Sequence, residues 1–515
     1  MASPTKNSVV SATFTVPSDN ILASLLDGTK WGTSAVGNSI ALTYSFPTST
    51  SATYNYRYEW SGGSVLSSSE QTAVRNALAQ WSAVANVTFT EVADTSTSVG
   101  ELRFAKSTTV DTENASAWSY MPDSSASAGD TWISPTLFTS NADNSAGSWN
   151  YMTLVHEIGH SLGLKHPFET GTTSTATLPT ATDSYQYTIM SYSATAGNSN
   201  VSASIYPSMP MLYDIAAIQY LYGANYNTNA DDTTYSYSST SSYQATIWDG
   251  GGTDTIVYTG NTGGIINLNA GGFSQLGKAI TYTNRTNSAN TVTIAYNCTI
   301  ENANGSNGND TVYGNSANNT EKGNAGNDIM LGNLGNDVLL GNAGNDYLFG
   351  GSDNDYVFGG IGDDAVLGNA GSDVVFGDDG NDYVFGGNGD DSLNSGAGND
   401  VLYGDPGNDT ITGGSGNDVF IFTSLDGTDV ITDFTVGQDV LWLDHSIFAS
   451  LPTGSLSSQS LVNGSAAVDG NDYLVFDGST DTLWYDADGS GSGAAVKVTS
   501  LWGVTSLAAT SILVV

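Results

Sequence analysis

Between residues 67 and 82, SSSEQTAVRNALAQWS places Val74, Leu78 and Trp81 at helical spacing behind Ser67 and Glu70. Ser67 and Glu70 stand in a capping-box relation, so the stretch predicts an amphipathic helix. NVTFTEV (86–92) and GELRFAK (100–106) alternate apolar and polar residues, the signature of half-buried strands. A second helical pattern, MLYDIAAIQYLYG (211–223), puts Ile215, Ile218 and Tyr222 on one side and stops at Gly223. Residues 1–20 are small and polar and read as a flexible leader or short propeptide. Residues 21–225 read as a mixed α+β domain that ends just beyond the second helix. Residues 226–300 turn to Thr, Ser, Tyr and Gly with strand-like runs.

A nine-residue period then takes over. Asp occupies Asp310, Asp328, Asp337, Asp346, Asp355, Asp364, Asp373, Asp382, Asp391, Asp400, Asp409 and Asp418 in one register, with Asn319 as the single exception. Two residues after each Asp lies an apolar position, from Val312 and Met330 through Phe420, and again one unit departs, with Glu321. Glycine allows sharp turns with exposed carbonyl oxygens, and the phased Asp adds hard carboxylate oxygen, the combination that Ca²⁺ prefers. A flexible Gly- and Asp-rich linker would explain the composition but not the register. The Asn319/Glu321 unit has lost both its ligand and its core residue, so a defect in the stack is expected there. Val338, Leu340, Tyr356, Phe358, Val374 and Phe376 fall on outward positions of one expected sheet, and such a strip is expected to be covered by another segment or a partner. After 425 the text is again strand-like, ending in SILVV (511–515).

At 515 residues the chain is long enough for two or three domains, and 10 Trp with 27 Tyr allow a substantial core. The 51 Asp and Glu outnumber the 11 Lys and Arg, for a formal net charge of -40. That balance repels nucleic-acid phosphates and anionic membrane surfaces and makes cations the natural partners, unless it serves only as a solvated acidic surface. Cys298 is the only cysteine, which excludes an internal disulfide and a cysteine-based zinc site. The N-terminal stretch has no apolar segment of signal-peptide length, and no run is long enough to span a bilayer.

Three of the four histidines lie within HEIGHSLGLKH, residues 156–166. On a helix His156 and His160 share a face, and Gly163 lets the chain turn so that His166 returns as a third nitrogen donor. Three neutral imidazoles leave an open position on zinc, the arrangement of a catalytic rather than a structural site. Glu157, beside the first ligand, can act as general base for water. The full HExxHxxGxxH spacing is far more specific than HExxH alone. In YTIMSYS (187–193), Met190 could floor the metal and Tyr192 could point its phenol at it.

HEIGHSLGLKHP with TIMSY resembles the metzincin metalloproteases and, within them, the serralysin group. GDTWIS (129–134), MLYDIAAIQYLYGANY (211–226) and WDGGGTDT (248–255) extend the resemblance. It implies one catalytic zinc on His156, His160 and His166, with Tyr192 as a further ligand that swings away to stabilise the tetrahedral intermediate, Glu157 as general base and Met190 in the Met-turn. It further implies a peptide substrate bound as an added strand on a sheet edge, for which SAWSYMP (116–122), with Ser116, Ala117 and Trp118, is the candidate. Lys165 stands where the group has small polar residues, and little consequence is expected.

The repeat resembles that of repeats-in-toxin proteins, which wind into a parallel β-roll holding several structural calcium ions; the resemblance adds Asp249 and Asp254 to the calcium set. Fold class is therefore multidomain: an α+β metzincin-like catalytic domain, then an all-β parallel β-roll/β-sandwich domain with its strand-rich start at 226–300, its roll at 301–425 and its C-terminal strands at 426–515. The resemblance implies a secreted, monomeric, extracellular zinc endopeptidase exported by a type I exporter that reads an uncleaved C-terminal signal, with a proteinaceous inhibitor as a further partner. SILVV and WYDADGSGSGAA (484–495) suit that signal, although Thr510 and Ser511 stand where an acidic residue is often found. SILVV also reads as a last buried strand. A calcium-dependent adhesin or surface-layer protein with a protease-like domain, or a roll that binds a polysaccharide, are the competing readings.

Overall fold

The computed structural model describes residues 5–6, 9–48, 63–139, 142–171, 173–284 and 287–515. Within the stretch read as a leader, 1–4 and 7–8 lie outside these residues, while Thr5–Lys6 and Ser11–Thr13 form short strands. The chain divides into two compact units: residues 1–233 with 241–252 and 270–298, and residues 234–240 with 253–269 and 299–515. The segment 226–300 is thus shared between them.

In the first unit, β1 (Ile40–Ser45), β2 (Val87–Glu91), β3 (Leu102–Lys106), β4 (Ala117–Ser119) and β5 (Asp130–Ile133) form one sheet in the order β2-β1-β3-β5-β4. The first four run parallel, and β4 closes the sheet antiparallel to β5. Helix α1 (Ser68–Val84) begins at the Ser67/Glu70 capping box read from the sequence and buries Val74, Leu78 and Trp81. Helix α2 (Trp149–Leu162) starts where Ser148 Oγ accepts the Tyr151 N–H at 3.1 Å and ends at Gly163. Helix α3 (Leu212–Tyr222) stops at Gly223. The Trp81 indole N–H donates to Val155 O at 3.0 Å, tying α1 to α2 across the core.

The second unit is built on a parallel coil with an 18-residue stride whose strands alternate between two sheets; C-terminal strands, some antiparallel, extend these to fourteen and eleven strands among the described residues. From Asn319 to Asp409 each turn has left-handed backbone five residues after the phased position. Asn324, Asn333, Asn342, Asn369, Asp378 and Asp405 supply it with φ between 65° and 78°, and glycine elsewhere. The apolar residue two places after each phased Asp points inward, with Val312, Met330, Leu339 and Leu348 all fully buried. SILVV ends in a strand, Ile512–Val514, paired with Val440–Leu443 and buried at Ile512 and Val514.

One expectation for this unit is corrected. The strand Thr320–Ala325 pairs in register with Asn302–Asn304 and Val338–Ala343, so the stack has no backbone defect at Asn319 and Glu321. Main-chain pairing does not need the missing carboxylate: the Asn319 N–H still donates to Asp337 Oδ1 at 2.7 Å. The outer strip does line up, Val338 beside Tyr356 beside Val374 and Leu340 beside Phe358 beside Phe376. Five of the six side chains are half-buried and pack on one another along the strip, the Phe358 and Phe376 rings stacking at 4.9 Å and 2°, while Tyr356 is half exposed. The opposite sheet carries the same device, with Phe385 stacked on Tyr403 at 4.5 Å.

Candidate metal centres

Helix α2 places His156 and His160 one turn apart on a buried face. Gly163, at φ 109°, then reverses the chain; a side chain there would meet Thr29 O at 2.5 Å. The reversal brings His166 back, with its Nε2 3.0 Å from His160 Nε2 and 3.3 Å from His156 Nε2. A tetrahedral centre ~2.0–2.1 Å from each nitrogen has edges of about 3.3 Å, so the three donors fit zinc. Among the described residues this is the one cluster of three or more His, Cys, Asp or Glu with ligand atoms within 4.8 Å of one another.

Two carbonyls fix which nitrogen faces the centre. His156 Nδ1–H donates to Ile189 O at 2.7 Å and His160 Nδ1–H to Leu164 O at 2.7 Å, leaving both Nε2 lone pairs turned inward. His166 Nδ1 lies 2.9 Å from Glu169 Oε2, and its ring stacks on Phe168 at 5.1 Å. Burial holds His156 down at about 4 and His166 at about 3, and keeps His160 well below its ordinary value, so all three are neutral and ligand-competent at pH 7.

Glu157 is buried, and its Oε2 has no hydrogen-bond partner. Burial pushes its carboxyl up to about 8, against a hydrogen bond from Ser119 on β4 that favours the ionised form. The Tyr192 ring lies 4.5 Å from that of His166 and 5.8 Å from that of His156, and is about half exposed. Met190 is fully buried, and Gly159, between the two helical histidines, gives it room: a methyl there would lie 2.7 Å from Met190 Sδ and 3.1 Å from the Trp81 ring. His156, Glu157 and Tyr192 line a cleft of about 380 Å³ together with Ser116 and Ala117 from the start of the edge strand. The Trp118 side chain packs instead against the cluster of Ala105, Val110 and Trp132, so only its backbone can serve the cleft.

Two supporting residues escaped the sequence reading, and a third was read as of little consequence. Asp214, a lone acid in the first turn of an apolar helix, accepts from Thr188 Oγ1 at 2.5 Å, Ile189 N at 2.8 Å and Met211 N at 2.9 Å. It thereby clamps the turn that carries Met190 to the start of α3. Glu169 meets the third histidine. Lys165, from which little was expected, is buried and donates to Ser24 O and Glu169 O at 2.6 Å and to Ala176 O at 3.1 Å, fastening the segment around His166.

In the second unit the phased aspartates form two ladders. Each N–H donates to Oδ1 of the Asp 18 residues on, as from Asp310 to Asp328 at 2.7 Å and from Asp337 to Asp355 at 2.8 Å. Oδ2 of every phased Asp from Asp328 to Asp409 is buried with no hydrogen-bond partner. Near those from Asp328 to Asp391 lies a carbonyl: a methyl built on Gly359 would be 2.5 Å from Asp364 Oδ2 and 2.7 Å from Gly377 O. Orphaned carboxylate and carbonyl oxygens converging in this way suit Ca²⁺. The ladders continue beyond Asp418, because Asp409 N–H donates to Asp429 Oδ1 and Asp418 N–H to Asp439 Oδ1, both at 3.1 Å. Sequence periodicity missed Asp429 and Asp439 because their spacings are 20 and 21 residues. Asp249 and Asp254 lie upstream of both ladders; Asp249 Oδ1 accepts the Gly251 N–H at 2.8 Å.

Comparison with known proteins agrees with both halves of this description. Residues 48–188 match the matrixin family of M10 peptidases, and five overlapping segments between 300 and 420 match the RTX calcium-binding nonapeptide repeat. The chain is 38% identical to the metallopeptidase AprA of Pseudomonas marginalis over 313 residues, 56% of this chain and 63% of that protein. It is 34% identical to a serralysin of Proteus mirabilis, over 56% of this chain and 62% of the relative. With a serralysin of Photorhabdus sp. (strain Az29) it shares 36% identity over 57% and 63% respectively. The chain thus spans a little under two thirds of the length of the relatives it matches.

Proposed function

We propose that this chain, which carries a matrixin domain and RTX calcium-binding repeats like those of the serralysins, is a secreted zinc-dependent endopeptidase. The observation that carries the reading is the convergence of three Nε2 atoms beside the unpartnered Glu157 Oε2, in a cleft bounded by a sheet edge. His156, His160 and His166 would hold zinc. When bound, zinc supplies Lewis acidity that polarises a scissile carbonyl and makes water acidic near neutral pH. Its positive charge also counters the burial that keeps Glu157 protonated.

Glu157 takes a proton from the attacking water and passes it to the leaving amine. Tyr192, which would add a further ligand at rest, swings away from that position and its O–H donates to the oxyanion that develops on the carbonyl. The substrate backbone adds as a strand along Ser116, Ala117 and Trp118 on the open side of β4, whose only sheet neighbour among the described residues is β5. Met190 and Asp214 position the floor beneath the histidines. The calcium-bound roll aids folding and export, which delivers the protein to the extracellular space through a type I exporter that reads the C-terminal strands. A proteinaceous inhibitor occupying the same cleft is a further partner of this reading, and the protein acts as a monomer.

The test is hydrolysis of casein by the purified chain loaded with zinc and calcium. Glu157→Ala should retain zinc, measured by mass spectrometry, and lose cleavage. Wild-type protein that holds both metals yet cleaves no unfolded protein would overturn the reading and favour a calcium-dependent surface protein.

A further inference from the structure

The departure at Asn319 and Glu321 leaves the backbone of the coil intact and changes its chemistry. Glu321 occupies an inward position that is apolar in the other repeats. Its side chain is fully buried, and neither carboxylate oxygen has a hydrogen-bond partner. Packing cannot explain a carboxylate there, because an unpaired buried charge is among the costliest groups to place in a core.

Its surroundings supply the reason. A methyl built on Gly314 would meet Gly332 O and would lie 2.6 Å from both Asn319 Oδ1 and Glu321 Oε1. In repeats further along the coil the nearest oxygens to the same construction are an Asp Oδ2 and a glycine carbonyl, at 2.5 and 2.8 Å from Gly350 and again from Gly386. The Asn319 amide is fixed on both sides: Nδ2 donates to Glu301 O at 2.7 Å and to Asn315 Oδ1 at 3.1 Å, and Oδ1 accepts the Asn315 N–H at 2.9 Å, which leaves Oδ1 a second lone pair for a ligand. Exchanging Asp for Asn removes one negative charge from the turn, and a Glu two residues later, inward-pointing and one methylene longer, returns it to the same place.

We propose that Asn319 Oδ1, Glu321 Oε1 and the Gly332 carbonyl form a calcium site in which Glu321 supplies the carboxylate that the other repeats take from the phased Asp. Three oxygen donors crowded around one point beside Gly314 suit a hard cation that accepts 6–8 oxygen ligands at about 2.3–2.6 Å. Burial, with the negative charge of Asp337 on the next rung adding to it, pushes the Glu321 carboxyl well above its ordinary value. The site is independent of the peptidase reading, since it concerns calcium held by the coil.

Native mass spectrometry of the full chain, equilibrated in calcium, counts bound ions as integers. Glu321→Gln and Glu321→Leu should each carry one calcium fewer than the wild type. Asn319→Asp combined with Glu321→Leu, which rebuilds the ordinary repeat, should restore the count. If Glu321→Leu keeps the wild-type count and raises the unfolding temperature in calcium, Glu321 is a buried carboxylate without a ligand role and the proposal is overturned. Glu321→Gln, which keeps the side-chain shape, decides the same question if the leucine variant does not fold.

Discussion

The three-histidine site and the aspartate ladders both hold buried polar atoms that no protein group satisfies, but they differ in how far they can exist without a cation. Each helical imidazole is oriented by a carbonyl on its far side, and burial keeps all three rings neutral. Neutral rings a few ångströms apart repel little, so this site can be preformed. The ladders stack carboxylates, and from Asp328 to Asp409 each accepts a backbone N–H on Oδ1 and leaves Oδ2 unpaired. Ionised, these groups repel one another along the whole coil; protonated, they cannot bind. Two metal-binding strategies therefore coexist in one chain, one prepared in advance by its surroundings and one completed only by its ions.

Calcium removal is the strongest way to break this comparison. At neutral pH, chelation should unfold the coil while α1 and α2 of the first unit retain their protection. Sites held at about 1,000 times their dissociation constant contribute about 4 kcal/mol each, and the coil has many. Hydrogen exchange followed by mass spectrometry should therefore show amides across 310–422 accelerating by at least about a thousandfold. Equal acceleration in α2 would show that the histidine site also depends on calcium. The next largest effect is on chemistry alone: Glu157→Gln should lower kcat by roughly 10²–10⁴, the usual worth of a positioned general base, with zinc content unchanged.

Legibility followed the same division. The coil could be read in detail because period nine fixes both the ligand and the core position, and it became unreadable where insertions stretch the spacing at Asp429 and Asp439. The helices at 68–84 and 212–222 were visible in capping and apolar spacing, and HExxHxxGxxH exposed the three histidines. Asp214, Glu169 and the carbonyl partners of the imidazoles were not visible, because nothing local distinguishes a clamp residue from an ordinary polar one. Tertiary folding brings Asp214 to Ile189 across 25 residues, and no periodicity records that contact.

A smaller effect should appear in pH. Burial holds Asp355, Asp364 and Asp382 at about 7, against an ordinary value of 3.8. A carboxyl raised on folding favours the folded state fully below its unfolded value and loses that contribution as pH rises through its folded value. Without calcium the coil should therefore be more stable at pH 4 than at pH 8, with the loss concentrated between pH 4 and pH 7. Circular dichroism melts in chelator across that range would show it. With saturating calcium the slope should disappear or reverse, because the ion competes with the protons.

Gly159→Ala should produce the smallest effect and bears most directly on how well the histidine site is prepared. Gly159 lies on α2 between His156 and His160, and the added methyl would press on Met190 Sδ and the Trp81 ring. Helix propensity favours alanine by about 1 kcal/mol, whereas overpacking a tight core costs about 1–3 kcal/mol. The net change in stability should thus be a modest loss, read as a small drop in Tm. Catalysis should suffer more than stability: displacing Met190 also moves Ile189, whose carbonyl orients His156. Zinc affinity measured by competition with a chelator should fall along with kcat. A variant that loses stability yet keeps both would mean that the floor beneath the histidines is packing alone, and that the carbonyl partners suffice to hold the rings.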